Sequence, residues 1–382
     1  MPDARPASLY VHVPFCPSVC PYCDFHKMLR HDGLAARYVD RLERELFALG
    51  ERWGGPLDTL YFGGGTPSHL RDDELTRVFA AVREAFGGPG RLETNLEADP
   101  LTFDPDRLRM FAALGVSRLS IGLQSTQDRV LGYLGRLHDG AQGRQAVEWA
   151  LDSGMRVNVD VMTAIQGQDL ELDLRTIVGL GARHVSVYSL TVEPGTPFAL
   201  RGVEVDEDLD ADSFDLAGDL LSRLGLRRYE VSNHAEPGEE SLHNLAYWRG
   251  HYYLAAGPSA SSYLPGGVGL GVRLKNPGIK GWLAGDEAEV DVLTPDDVVL
   301  ERLMTGLRTV DGVDLGDLEV RTGRRLETLA ERWLADCLAH GLLTLGAERV
   351  LRTTPTGLTR LDSVLRAFVA SRPAPGAKPA MD

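Results

Sequence analysis

The chain has 382 residues, 43% hydrophobic and 25% charged, which is enough to bury a large core and a second, smaller one. Its 40 Lys and Arg against 55 Asp and Glu leave a formal charge of −15, which argues against general affinity for nucleic-acid phosphates or anionic membrane surfaces. No apolar run reaches the length of a membrane span and residues 1–8 lack a signal-peptide pattern, so a cytoplasmic protein is expected.

In chain order, short β-branched runs alternate with longer amphipathic ones. The spacing predicts strands at 9–13, 59–62, 92–97, 118–121, 156–161 and 185–190, with helices at 34–49, 73–86, 105–114, 140–151 and 170–180 between them. Six such repeats imply parallel strands with right-handed crossovers, in an open doubly wound sheet or a barrel, with the chemistry at the C-terminal strand ends. The acidic stretch 204–212 is expected to open a helix running to about 224, its carboxylates suiting the positive end of the dipole. Segment 230–290, rich in Gly, Pro, His and aromatics, reads as irregular structure wrapped on the first domain (1–229). Thr294, Pro295 and Asp296 start a helix by N-cap logic. Helical runs to 304 and over 326–340, two short strands around Gly346 and a last helix to 369 give residues 291–370 a winged-helix-like pattern. Residues 295–370 carry ten Arg against twelve Asp and Glu, so a structural or docking role is favoured over DNA binding. A disordered tail is expected over 371–382.

Cys16, Cys20 and Cys23 fall within eight residues just after the first strand, while Cys337 stands alone. Such clustering is no disulfide framework and points to a metal or redox site. A c-type heme would need His after Cys23, where the chain has Asp24. Zinc would need a fourth ligand, from Cys337 or a histidine such as His26. The spacing leaves zinc open but favours an iron–sulfur cluster. Other chemistry-bearing residues sit at predicted strand ends: the run Gly63 to Ser68 (GGGTPS), Glu97, the run Ser120 to Ser125 (SIGLQS), Gly135 to His138 (GRLH), and Asp160.

The Cys-x3-Cys-x2-Cys loop with these strand-end motifs resembles the radical S-adenosylmethionine (SAM) superfamily. The resemblance implies a partial (βα)6 barrel holding a 4Fe-4S cluster on Cys16, Cys20 and Cys23, with one iron left open for SAM. It places Tyr10, Tyr22, Gly65, Thr66, Glu97, Gln124, Arg136 and Asp160 around SAM, the carboxylates toward its ribose and sulfonium and Arg136 toward its carboxylate.

The motif order YVHVPFC, GGGTPS, SIGLQS, GRLH and YEVSNHAEPGEESLHNLAYW is similar to the coproporphyrinogen III oxidase-like group, and the similarity covers nearly the whole chain. Within that group the heme chaperone branch is favoured over the oxygen-independent oxidase. The oxidase has a cysteine two positions after the third cluster ligand, where this chain has Phe25, and a long N-terminal extension before the cluster loop. The HNxxYW signature of the chaperone branch is met by His243, Asn244, Tyr247 and Trp248. The resemblance implies heme held by His243, Tyr247 and Trp248, with Arg249 for a propionate. Where the group has Ala-His-Ser after a glycine turn, this chain reads Gly257-Pro258-Ser259-Ala260-Ser261. Expected partners are heme, an acceptor hemoprotein and an electron donor for the cluster, with no nucleic acid and with membrane contact only through an acceptor. Radical decarboxylation of coproporphyrinogen III, in porphyrin biosynthesis, is the alternative.

Overall fold

A computed structural model of the protein describes residues 5–266 and 270–371. Strands β1 (Ser8–Val13), β2 (Thr59–Gly64), β3 (Glu93–Ala98), β4 (Arg118–Gln124), β5 (Arg156–Thr163) and β6 (His184–Ser189) pair in chain order, every pair parallel. Their residues are mostly buried on both faces, as β-branched runs covered by crossover helices must be. The crossover helices follow the predicted spans, and their ends show why. Asp104 caps Pro105–Leu114 by accepting from Arg107 N, and Gly115 ends that helix in the left-handed region at φ 102°. Asp139 and Gln142 form a capping box on Gly140–Asp152. The acidic helix is Glu207–Arg223, opened by Asp206, whose carboxylate accepts from Asp208 N and Leu209 N.

Segment 230–290 is more regular than its composition suggests. It adds β7 (Asn233–Ala235), antiparallel to β6 and paired on its outer side with Arg227–Arg228, and at the opposite edge of the main sheet β8 (Leu254–Ala256), parallel to β1. A separate antiparallel sheet follows, formed by β9 (Ser261–Leu264), β10 (Val272–Lys275) and β11 (Glu289–Val292). The main sheet therefore has free ends and forms an open, partial (βα)6 barrel.

The C-terminal part has its own core around Val299, Leu303, Trp333, Leu351 and Phe368. Its helices Pro295–Gly306, Leu315–Thr322 and Glu331–Ala339 pack with a three-stranded antiparallel sheet, which gives the winged-helix-like pattern. The predicted helix over 326–340 is broken. Leu326–Leu329 ends at Ala330, whose extended φ of −141° interrupts the ladder before Glu331. Ser371 closes the last helix, and the predicted tail beyond it lies outside the described residues. No helix among the described residues is long and apolar enough to cross a membrane.

Candidate metal centre

The cysteine loop is pinned at both ends. Phe15–Cys16 pairs in parallel with Met28–Leu29, and Met28 N donates to Pro14 O at 2.8 Å. Thr66 N donates to Phe15 O and Gly65 N to Val13 O, each at 2.8 Å, so the glycine loop after β2 is tied to the base of the cysteine loop. A Cβ on Gly65 would stand 2.9 Å from Cys16 Sγ and 2.8 Å from the Pro14 carbonyl carbon. Only glycine leaves that cradle open.

Both loops open on a cavity of about 440 Å³ at the C-terminal ends of the strands. The structure gathers Cys16, Cys20, Cys23, Tyr22, Gly65, Thr66, Glu97, Gln124, Arg136 and Asp160 on its lining. Cys16 and Cys20 are buried and Cys23 is partly exposed. Burial pushes the Cys16 thiol up to about 11 against a hydrogen bond from Thr66, and raises Cys23 as well. Thiols in such a place ionise readily only against a cationic metal. Gln124 sits at φ 70°, where the β4–β5 register shifts, so the bulge sets its backbone at the cavity wall.

Arg136 reaches the cysteine loop, its Nη1 3.6 Å from Cys20 Sγ, while Nη2 donates to Asp99 Oδ2 and to Gly122 O, each at 2.6 Å. Its Nε is buried without a partner, a donor available to an anionic ligand. Asp99 went unread in the sequence although it directly follows β3. Glu97 accepts from the Tyr61 hydroxyl at 2.8 Å and from Gly64 N at 2.9 Å; burial pushes its pKa up to about 7. Asp160 accepts from Asn158 Nδ2 at 2.9 Å, and burial pushes it up to about 6. Both carboxyls stand within the cavity, where solvent reaches them only in part.

The remaining predicted residues lie elsewhere. Tyr10 is off the lining, stacked on Tyr61 with its hydroxyl 3.1 Å from His12 Nδ1. His243 is fully buried, its Nδ1 2.8 Å from Thr59 Oγ1 and its Nε2 2.7 Å from the Tyr247 hydroxyl. Neither nitrogen is free for iron in this arrangement, and of the helix Leu242–Trp248 it is Asn244 that lines the cavity. The Trp248 carbonyl accepts from Arg302 at 2.7 Å, and Arg249 is paired with Asp311 at 2.9 Å. The fourth ligands that zinc would require do not converge here. Cys337 is packed in the C-terminal core, and His26 Nε2 accepts from Ile279 N at 3.2 Å. Three soft thiols, a glycine cradle and an adjoining cavity of nucleoside size suit a cluster with one open position and a ligand beside it.

Fold and cavity together define a radical SAM protein. Residues 10–175 match the model of the radical SAM superfamily and residues 293–359 that of the HemN C-terminal domain. The heme chaperone HemW of Haemophilus influenzae is 34% identical over 338 residues, covering 85% of this chain and 88% of that protein. HemW of Escherichia coli is 32% identical over 381 residues, covering 96% and 98%. The solved structure of Escherichia coli coproporphyrinogen III oxidase, HemN, shares the fold at a TM-score of 0.81 and 22% identity, over 95% of this chain and 90% of that one. The chain thus belongs to the HemN-like group of the radical SAM superfamily, in the family of the heme chaperone HemW. That membership implies a 4Fe-4S cluster and SAM.

Proposed function

We propose that this protein is a heme chaperone that binds heme beside its cluster and SAM cavity and passes it to an acceptor hemoprotein. Phe25 carries the reading. It lies on the cavity lining and is 63% exposed, a flat apolar surface at the position where the oxidase has a further cysteine. An apolar macrocycle would find cover on that ring. Cys16, Cys20 and Cys23 would hold the cluster, and Tyr22, Gly65, Thr66, Glu97, Gln124, Arg136 and Asp160 would bind SAM. When bound, the two supply one-electron chemistry. Arg136 would orient an anionic end by its unpaired Nε, and the two carboxyls would face cationic groups. His243, Tyr247 and Trp248 would contribute by fixing the helix that presents Asn244, and the chain would divide into a barrel (1–229), a segment packed on it (230–290) and a C-terminal unit (291–370).

Titration with hemin, followed by the heme absorption band, tests this reading. Saturable binding that Phe25→Asp weakens and His243→Phe leaves in place supports it. Loss of binding in His243→Phe with an unchanged Phe25→Asp would return the iron to His243.

A further inference from the structure

An aromatic file leaves the cavity through the helix Leu242–Trp248. Tyr61, on the cavity lining, has its ring 5.0 Å from that of His243; His243 is 4.8 Å from Tyr247, and Tyr247 is 4.3 Å from Tyr253, which is partly exposed. The hydrogen bonds say where each phenolic proton can go. Tyr61 donates to Glu97 Oε1 at 2.8 Å. The Thr59 hydroxyl donates to Ser8 Oγ at 2.9 Å, so it accepts from His243 Nδ1 at 2.8 Å. His243 Nε2 is then the acceptor of the Tyr247 hydroxyl at 2.7 Å. Burial holds the imidazole at about 3, so it is neutral at ordinary pH and able to take a proton. The Tyr253 oxygen accepts from Arg273 Nη1 at 3.0 Å, which leaves its own proton for water.

We propose that Tyr61, Tyr247 and Tyr253, with Glu97 and His243 as proton acceptors, form a chain that carries an oxidising equivalent from the cavity to the surface, where a small-molecule thiol quenches it. The proposal rests on the reading of the cavity as a place of one-electron chemistry. An oxidant there, an organic radical or an over-oxidised heme, takes one electron from Tyr61, whose proton passes to Glu97. Tyr247 then gives an electron to Tyr61; Glu97 returns its proton to Tyr61, and the Tyr247 proton passes to His243 Nε2. Tyr253 next reduces Tyr247, which recovers its proton from His243, while the Tyr253 proton goes to water. Finally the thiol S–H bond breaks and the Tyr253 O–H bond forms, leaving a thiyl radical. The net change is one electron to the oxidant, one proton to water and one thiol oxidised. Such a drain would spare the cluster and the cavity side chains when an oxidising equivalent finds no substrate.

The test uses cluster-free protein carrying a ruthenium photosensitiser on Cys23, the clustered thiol that solvent reaches most readily. A flash with an electron-accepting quencher then creates an oxidant in the cavity. Transient absorption and electron paramagnetic resonance are expected to show a tyrosyl radical whose lifetime shortens as glutathione is added. In Tyr247→Phe and in Tyr253→Phe a tyrosyl radical should still form, but glutathione should no longer shorten its life. Tyr252→Phe, off the path, should behave as the parent. If Tyr247→Phe does not fold, the partly exposed Tyr253 position decides alone. Unchanged thiol sensitivity in the folded variants, or no tyrosyl radical in the parent, overturns the proposal. Because the sensitiser replaces cluster, SAM and heme, failure of the chaperone reading appears separately, in the hemin titration.

Discussion

At the scale of single residues, the cavity is a set of charges held against their solvation preference. Asp160 is pushed from 3.8 to about 6 and Glu97 from 4.5 to about 7, burial being the largest cause of each. A carboxyl whose folded pKa lies above its unfolded value binds its proton more tightly when folded. Its contribution to stability is therefore full at low pH and is lost as pH rises through this interval. Asp160→Asn removes that burden while keeping a polar group beside Asn158 and Ser186. Its thermal midpoint should exceed the parent's above about pH 6 and converge with it below about 3.8, as followed by calorimetry across pH. The same carboxyls predict that a cationic ligand releases protons on binding, since positive charge nearby lowers both pKa values. Calorimetric titration with SAM near pH 6, in buffers of different ionisation enthalpy, should show net proton release that Asp160→Asn reduces. The thiols and carboxyls were legible in the sequence because the thiols follow the first predicted strand and the carboxyls sit near the C-terminal ends of the third and fifth. Asp99 was not, because its role depends on Arg136 reaching it from a later loop. The position of His243 was legible as a motif, but its two hydrogen-bonding partners lie on β2 and on its own helix, and only the fold brings Thr59 to it.

At the scale of elements, two devices decide where the functional loops lie. The first is the glycine cradle, in which Gly65→Ala would drive a methyl group into Cys16 and the Pro14 backbone. Iron content after anaerobic reconstitution should fall well below the parent's, while Gly179→Ala, at a helix end with nothing within 4 Å of the added methyl, should keep its iron. The second is an ion pair under the helix Leu242–Trp248. Glu93 accepts from Arg118 Nε at 2.8 Å and from His243 N at 3.1 Å, while Arg118 Nη2 donates to the carbonyls of Glu239 and Glu240 at 2.9 and 3.1 Å. Arg118 is only 1% exposed, and its loss leaves a buried carboxylate uncompensated. Arg118→Met should cost about 3 to 5 kcal/mol in chemical denaturation. The long strand–helix repeats were legible because their periods differ and their caps are conventional. The short strands of 230–290 were not: Leu254–Ala256 has little β propensity of its own and is a strand because β1 offers it a free edge. The break at Ala330 was missed for a similar reason, since the apolar period continues across it while the backbone does not.

At the scale of the whole molecule, the C-terminal unit is bonded to the segment that follows the barrel. Arg302 donates to the Trp248 carbonyl, and Arg273 pairs with Glu301 through two bonds of 2.7 and 2.6 Å. Its charge balance is slightly negative, so duplex DNA titrated against the full protein at low salt should show no binding by anisotropy. The fold it shares with HemN does not decide between oxidase and chaperone, because a fold hosts more than one function. That choice rests on the cavity mouth, where Phe25 offers an apolar surface. The most direct measurement is anaerobic incubation of the reconstituted protein with coproporphyrinogen III, SAM and a reductant, read by product chromatography. The chaperone account predicts no protoporphyrinogen above a control lacking SAM, from a preparation that binds hemin. Protoporphyrinogen accumulating over many turnovers would contradict it.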